Sequence, residues 1–240
     1  MAFGDKIMSK VKKVVLILIG VILAIAFIVG AVFAIRYFQY KKFPSHGPYY
    51  DKKVRSFDKE NRHLSSVEVI FLGDSLTDGC DIGNYYGEYS ALNRGINGDT
   101  TYGLFDRLEI SAYDAHPKVI VLLIGGNDIL GGKTLDSIYL NYKKLIEGIK
   151  KHLPETKIVW CSLTVLGNEW AKYNDMVKEC NVRIEEMAAL YGCAFVDLYT
   201  PLCGKEDILA PEYTIEGVHL THEGYLVISD KIKTAIKNVY

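Results

Sequence analysis

The chain has 240 residues, 49% of them apolar, enough for one good-sized core with apolar material to spare. Its formal net charge of −1 hides an asymmetry: residues 1–13 carry +3, residues 36–65 carry +5 and residues 66–240 carry −9. An acidic domain repels phosphate backbones, which excludes nucleic acid as a partner.

In chain order, residues 1–13 read as a basic tail holding Lys6, Lys10, Lys12 and Lys13. Residues 14–35 then run without a charge, and as a helix they span about 33 Å, the thickness of a bilayer's hydrocarbon. Ala24-Ile25-Ala26 resembles a signal-cleavage site, but cutting there leaves 27–35 as an apolar terminus. An uncleaved single-pass anchor is the expectation. Basic residues flank the span on both sides, so the positive-inside count does not set the orientation. A short basic N-terminus stays inside and long domains translocate largely regardless of charge, which places the C-terminal domain extracellularly, at the cell membrane. Residues 36–65, with Pro44, Gly47 and Pro48, read as a basic juxtamembrane connector, either meeting anionic lipid or simply solvated.

From residue 66 to 240 strands alternate with helices. Residues 67–72, 91–96, 119–124, 158–163 and 194–196 read as strands, and the continuous apolar runs among them imply coverage on both faces. Residues 101–113, 135–152, 173–191 and 222–239 carry helical spacing, with Leu190 on the inward face of the third. This predicts a parallel sheet of about five strands in flavodoxin-like order between helix layers, a three-layer α/β/α sandwich. The five cysteines are odd in number and irregularly spaced, which argues against a disulfide framework, and no pair has metal-ligand spacing.

In such sheets the site lies beyond the carboxyl ends of the strands. Gly73-Asp74-Ser75 follows the first strand, Asn97-Gly98-Asp99 the second and Gly126-Asn127-Asp128 the third. Ser75 is a candidate nucleophile, although a Gly-Asp-Ser turn also serves as a helix cap. His219, before the last helix, is a candidate base, since a neutral imidazole can take a hydroxyl proton. Glu216, three residues earlier, is placed to hold the other ring nitrogen. The Ser75 and Gly98 backbone N–H groups and the Asn127 amide are candidate donors for an oxyanion hole. Taken singly, Gly98 and Asn127 are ordinary turn residues.

Together, Gly73-Asp74-Ser75-Leu76, the segment from Asn93 to Thr100, Gly125-Gly126-Asn127-Asp128 and Glu216-Gly217-Val218-His219 resemble the four blocks of the GDSL/SGNH hydrolases, in order. The resemblance implies an α/β/α fold and ester hydrolysis through an acyl-serine, with no metal and no cofactor. It places the nucleophile at Ser75, the base at His219 and the oxyanion donors at Gly98 and Asn127. One departure stands out: the family's Asp-x-x-His is Glu216-x-x-His219 here. Glu216 then orients the imidazole, or a backbone carbonyl does, or turnover is weak. The last case would make the chain a surface binding protein that keeps the fold.

Other motifs fail on spacing. Asn127 to Thr134 ends like a phosphate-binding loop, but its first glycine, Gly126, lies one residue too early. The fifth position of a Gly-x-Ser-x-Gly elbow is Thr77. Substrates consistent with the reading are esters of small molecules, O-acyl groups on cell-surface glycans and lipid-like esters. Tyr85, Tyr86, Tyr89 and Tyr102 either stack on sugar or pack.

Overall fold

The structure is a computed structural model that describes residues 15–32, 46–64 and 66–240. The tail expected over 1–13, and 36–45 of the connector, lie outside the described residues. The chain forms two compact units, Met1–Pro44 and Ser45–Tyr240. In the first, helix α1 (Val15–Val32) has a mean hydropathy of 3.2 and no buried residue, and is long and apolar enough to cross a bilayer. A signal sequence has the same length and composition.

The second unit is built on a five-stranded parallel sheet of β1 (Val69–Gly73), β2 (Ala91–Gly95), β3 (Val119–Leu123), β4 (Lys157–Cys161) and β5 (Ala194–Val196). The order is β2-β1-β3-β4-β5, with Gly73 paired to both Gly95 and Leu123. This is the flavodoxin-like order, in which the direction of strand addition reverses between β1 and β3 while every strand stays parallel. Both central strands are buried along their whole length, as their unbroken apolar runs require. The long helices α8 (Leu135–His152) and α9 (Asn174–Leu190) contact one another, and α11 (His222–Val239) lies over β3, β4 and β5. Leu190 is 74% exposed, against expectation, because α9 ends there and the chain turns away at Tyr191. The five cysteines are free thiols.

Two regions depart further from the sequence reading. The connector expected over 36–65 does not persist through Pro48, because α2 (Pro48–Asn61) is a helix of the second unit. Tyr50, Val54 and Phe57 form a buried stripe on it, and the Phe57 ring lies 4.6 Å from the guanidinium of buried Arg94. Arg94 also pairs with Glu60 and donates to Asn61 Oδ1 at 2.8 Å. The domain thus starts before residue 66, since this side chain needs α2 to satisfy its buried charge.

The single helix expected over 101–113 is two short ones, α5 (Thr101–Asp106) and α6 (Leu108–Ser111). The break falls at Arg107, whose fully buried guanidinium turns inward to polar partners.

Phe57→Ala should remove about 3–5 kcal/mol of stability, the usual cost of emptying a buried aromatic site. Denaturant unfolding of the detergent-solubilised chain measures this. A loss below about 1 kcal/mol would mean that α2 is not part of the core.

Candidate active site

The carboxyl ends of β1, β2 and β3 each feed a short polar turn. After β1, Asp74 caps helix α3 (Ser75–Asp78) by accepting from Leu76 N at 3.1 Å, which leaves Ser75 as the first helical residue, half-buried. Its hydroxyl meets the histidine loop: Ser75 Oγ lies 2.9 Å from His219 Nε2. The other ring nitrogen, Nδ1, meets Glu216 Oε1, and the same oxygen accepts from His219 N at 3.1 Å. Both side chains of this pair are about half exposed.

The loop's shape explains how the longer glutamate reaches. Ile215 N donates to His219 O at 3.0 Å, Thr214 Oγ1 donates to the same carbonyl at 3.0 Å, and Gly217 N donates to Thr214 Oγ1 at 2.7 Å. The chain therefore curls back on itself between Thr214 and Leu220, with Glu216 and His219 on the same side of the curl. Gly217 makes this possible with φ 96°, and a Cβ there would stand 2.6 Å from Gly167 O.

After β2, Gly98 takes φ 78° with open space around it, so backbone conformation and not crowding calls for glycine. After β3, Asn127 lies in the first turn of α7 (Gly126–Leu130) and donates from Nδ2 to Asp99 O at 2.9 Å. That bond sets the Asn127 amide beside the Asp99–Thr100 peptide, just after Gly98, and leaves the second amide hydrogen without a partner among the described residues. Among the described residues, the N–H groups of Ser75 and Gly98 have no intramolecular acceptor. Ser75 and Asn127 line one pocket. The five candidate residues are thus gathered at one sheet edge. Of the tyrosines, Tyr85 and Tyr86 are buried and Tyr89 is partly buried, so these pack; Tyr102 is exposed.

Beneath the site lies a layer of buried polar groups that motif reading passed over. Arg107 donates to Asp99 Oδ2 (2.8 Å), Arg94 O (2.8 Å) and Gly73 O (3.0 Å). Asp128 accepts from Thr101 N (2.8 Å) and Thr101 Oγ1 (2.7 Å). Asp78 accepts from Lys53 Nζ (2.7 Å), Tyr49 Oη (2.7 Å) and Asn97 N (2.9 Å), which fastens the Gly98 loop to α2. Among the described residues Asp74 has no ion-pair partner. Burial pushes its carboxyl up to about 7, with Asp99 and Asp128 adding to the rise and the Leu76 N–H opposing it. Burial likewise raises Asp99 against the pull of Arg107, and Asp128 against its bonds from Thr101. Arg107, paired to Asp99 eight residues away, carries no local sequence signature.

Residues 71–227 match the model of the GDSL-like Lipase/Acylhydrolase family. The chain belongs to that family. Membership supports an ester-cleaving hydrolase. Among solved structures, a GDSL-like lipase from Bacteroides thetaiotaomicron is 26% identical, with a TM-score of 0.71 over 78% of this chain and 98% of that one. A Streptococcus pneumonia protein named for platelet activating factor is 26% identical, with a TM-score of 0.72 over 88% and 99%. The acetylxylan esterase Axe2 from Geobacillus stearothermophilus shares the fold at 20% identity, with a TM-score of 0.60 over 72% and 94%. No curated protein matches the chain by sequence.

Asp74 generates a pH-dependent stability. Its folded carboxyl holds a proton up to about 7, against an ordinary 3.8, so the folded state binds more protons between those values. Its stabilising contribution is complete below the lower value and is lost as pH rises through the upper one. Asp74→Asn should therefore gain stability relative to the parent between about pH 4 and pH 8. Unfolding curves at both pH values check this, and an unchanged difference between the two proteins would contradict it.

Proposed function

We propose that the Ser45–Tyr240 unit is a serine esterase that cleaves carboxylic esters through an acyl-serine intermediate. The observation that carries this reading is the contact of Ser75 Oγ with His219 Nε2 at 2.9 Å, made by a ring whose Nδ1 faces Glu216. With Nδ1–H donated to the glutamate, Nε2 presents its lone pair to the hydroxyl.

In the first half-reaction Ser75 Oγ forms a bond to the ester carbonyl carbon as its proton passes to His219 Nε2. The carbonyl π electrons move to oxygen, and the Ser75 N–H, the Gly98 N–H and the free Asn127 amide hydrogen hold the resulting oxyanion. The carbon–alkoxy bond then breaks, and His219 returns the proton to the departing alcohol. In the second half-reaction water attacks the acyl-serine, again giving its proton to His219, and the acid leaves with Ser75 restored. Glu216 keeps the imidazole in the required tautomer and offsets its transient positive charge.

Domain boundaries for this reading are the basic tail 1–13, the anchor 14–35, a shortened connector and the hydrolase unit. The anchor ties the enzyme to the cell membrane, with the hydrolase unit on the extracellular side, facing esters of small molecules, glycans or lipids.

A fluorophosphonate probe should label the parent and leave Ser75→Ala unlabelled; labelling of that variant at the parental level would remove the nucleophile assignment. Asn127→Ala should lower kcat by about 10²–10³, and Glu216→Gln by up to about 10⁴. Parental turnover in Glu216→Gln would remove its orienting role.

A further inference from the structure

Resting on the esterase reading, we propose that helix α2 is a positioning element for the reaction: its Tyr49 and Lys53 hold Asp78, and Asp78 holds the turn that presents the Gly98 N–H to the oxyanion. Neither Tyr49 nor Lys53 lies within residues 71–227, the segment that matches the family.

The Gly98 N–H sits in a β-turn. Asp99 N donates to Ile96 O at 3.0 Å, the Asn97 φ is negative, and Gly98, the third residue, takes φ 78°. That is the pattern of a type II turn. Its central peptide, Asn97–Gly98, carries the N–H in question, which has no intramolecular acceptor among the described residues. The direction of that N–H is therefore set by the peptides on either side. Glycine also tolerates the negative φ that a type I turn asks of its third residue, so rotating this one peptide interconverts the two turns. The rotation would bring the Asn97 carbonyl to where the N–H had been, and a carbonyl repels an oxyanion.

The two flanks are held by different parts of the fold. On one side Arg107 binds the Asp99 carboxylate and Asn127 binds the Asp99 carbonyl. On the other side Asn97 N donates to Asp78 Oδ2 at 2.9 Å. The Asp78 backbone has no room to shift, because a Cβ on Gly95 would stand 2.1 Å from Asp78 N. Its carboxylate depends on α2. Oδ2 accepts from Tyr49 Oη at 2.7 Å, and Oδ1 accepts from Lys53 Nζ at 2.7 Å. Tyr49 and Lys53 are four residues apart, on one face of the helix. Lys53 is the only cation paired with Asp78 among the described residues, and the Asp78 side chain is 12% exposed. An enclosed carboxylate is costly once its cation is gone. Without Lys53 it turns toward water, Asn97 N loses its acceptor, and the Gly98 N–H loses its fixed aim. Tyr49, Lys53 and Asp78 are thus positioning residues that touch no substrate and act through Gly98.

The test is hydrolysis of p-nitrophenyl acetate by the full chain in detergent, with active sites counted by fluorophosphonate labelling carried to completion. The parent, Asp78→Ala, Lys53→Met and Lys53→Arg are compared, and denaturant unfolding of each is measured alongside. Asp78→Ala should lower kcat per labelled site by about 10- to 10²-fold, the cost of misplacing an oxyanion donor. Lys53→Met should lower it about tenfold. KM should stay within about twofold of the parent in both, since the lost interaction belongs to the transition state. Lys53→Arg, which keeps the cation, should restore most of the loss. Parental kcat per labelled site in Asp78→Ala and Lys53→Met overturns the proposal and leaves the esterase reading intact, even where both variants unfold more easily; their role would then be stability alone. A loss that Lys53→Arg does not restore, or one carried by KM, also overturns it. Should Asp78→Ala fail to fold, Lys53→Met and Lys53→Arg decide by the same criteria. A parent that neither hydrolyses the ester nor takes the label overturns the esterase reading and this proposal with it.

Discussion

The guanidinium of Arg107 is wholly buried, and three of the pieces that make the candidate site converge on it. It binds the last carbonyl of β1 at Gly73, the carbonyl of Arg94 near the end of β2, and the carboxylate of Asp99 beside the Gly98 turn. A buried charge is costly unless its donors are satisfied, so these partners cannot drift apart without exposing that cost. The Ser75 turn and the Gly98 turn are thereby fixed to one point. Asn127 joins the same framework through Asp99 O, and Asp78 ties the Gly98 loop back to α2.

The histidine arrives from a different direction. Its loop is curled by its own backbone bonds and attached to the segment after β4 through Gly167 N and Gly217 O, 2.7 Å apart. That segment, in turn, is clamped to α9. The parallel sheet thus supplies a rigid edge, and two loop systems anchored on opposite halves of it meet across Ser75. The Gly98 and Asn127 side of the site is tied to the buried Asp99 and Arg107, while the Glu216 and His219 side chains are about half exposed.

Much of this was legible in the sequence, for identifiable reasons. Fully buried parallel strands are continuous apolar runs, so β1 and β3 stood out, and the Gly-rich polar turns after β1, β2 and β3 marked one sheet edge. Ser75, Gly98, Asn127 and His219 lie in those turns and in the loop before the last helix, and the structure gathers them. What stayed hidden depended on tertiary pairing. Tyr50, Val54 and Phe57 do have helical spacing, but they sit among lysines and arginines, and their burial follows from Arg94 and Asp78 far along the chain. The break at Arg107 arises because a side chain, not a glycine or proline, is drawn inward. Whether glutamate could replace aspartate three residues before His219 depended on the curl of the Thr214–Leu220 loop, which no propensity scale records.

On the proposed mechanism, one carbonyl carbon bonded to Ser75 faces three hydrogen-bond donors and one imidazole at once. A crystal structure of the hydrolase unit carrying an alkylphosphonyl group on Ser75 tests it most directly. Phosphorus should lie on Ser75 Oγ, with one phosphonyl oxygen accepting from Ser75 N, Gly98 N and Asn127 Nδ2, and a second oxygen toward His219 Nε2. Phosphorus on another residue, or a phosphonyl oxygen that meets neither Gly98 nor Asn127, would contradict it.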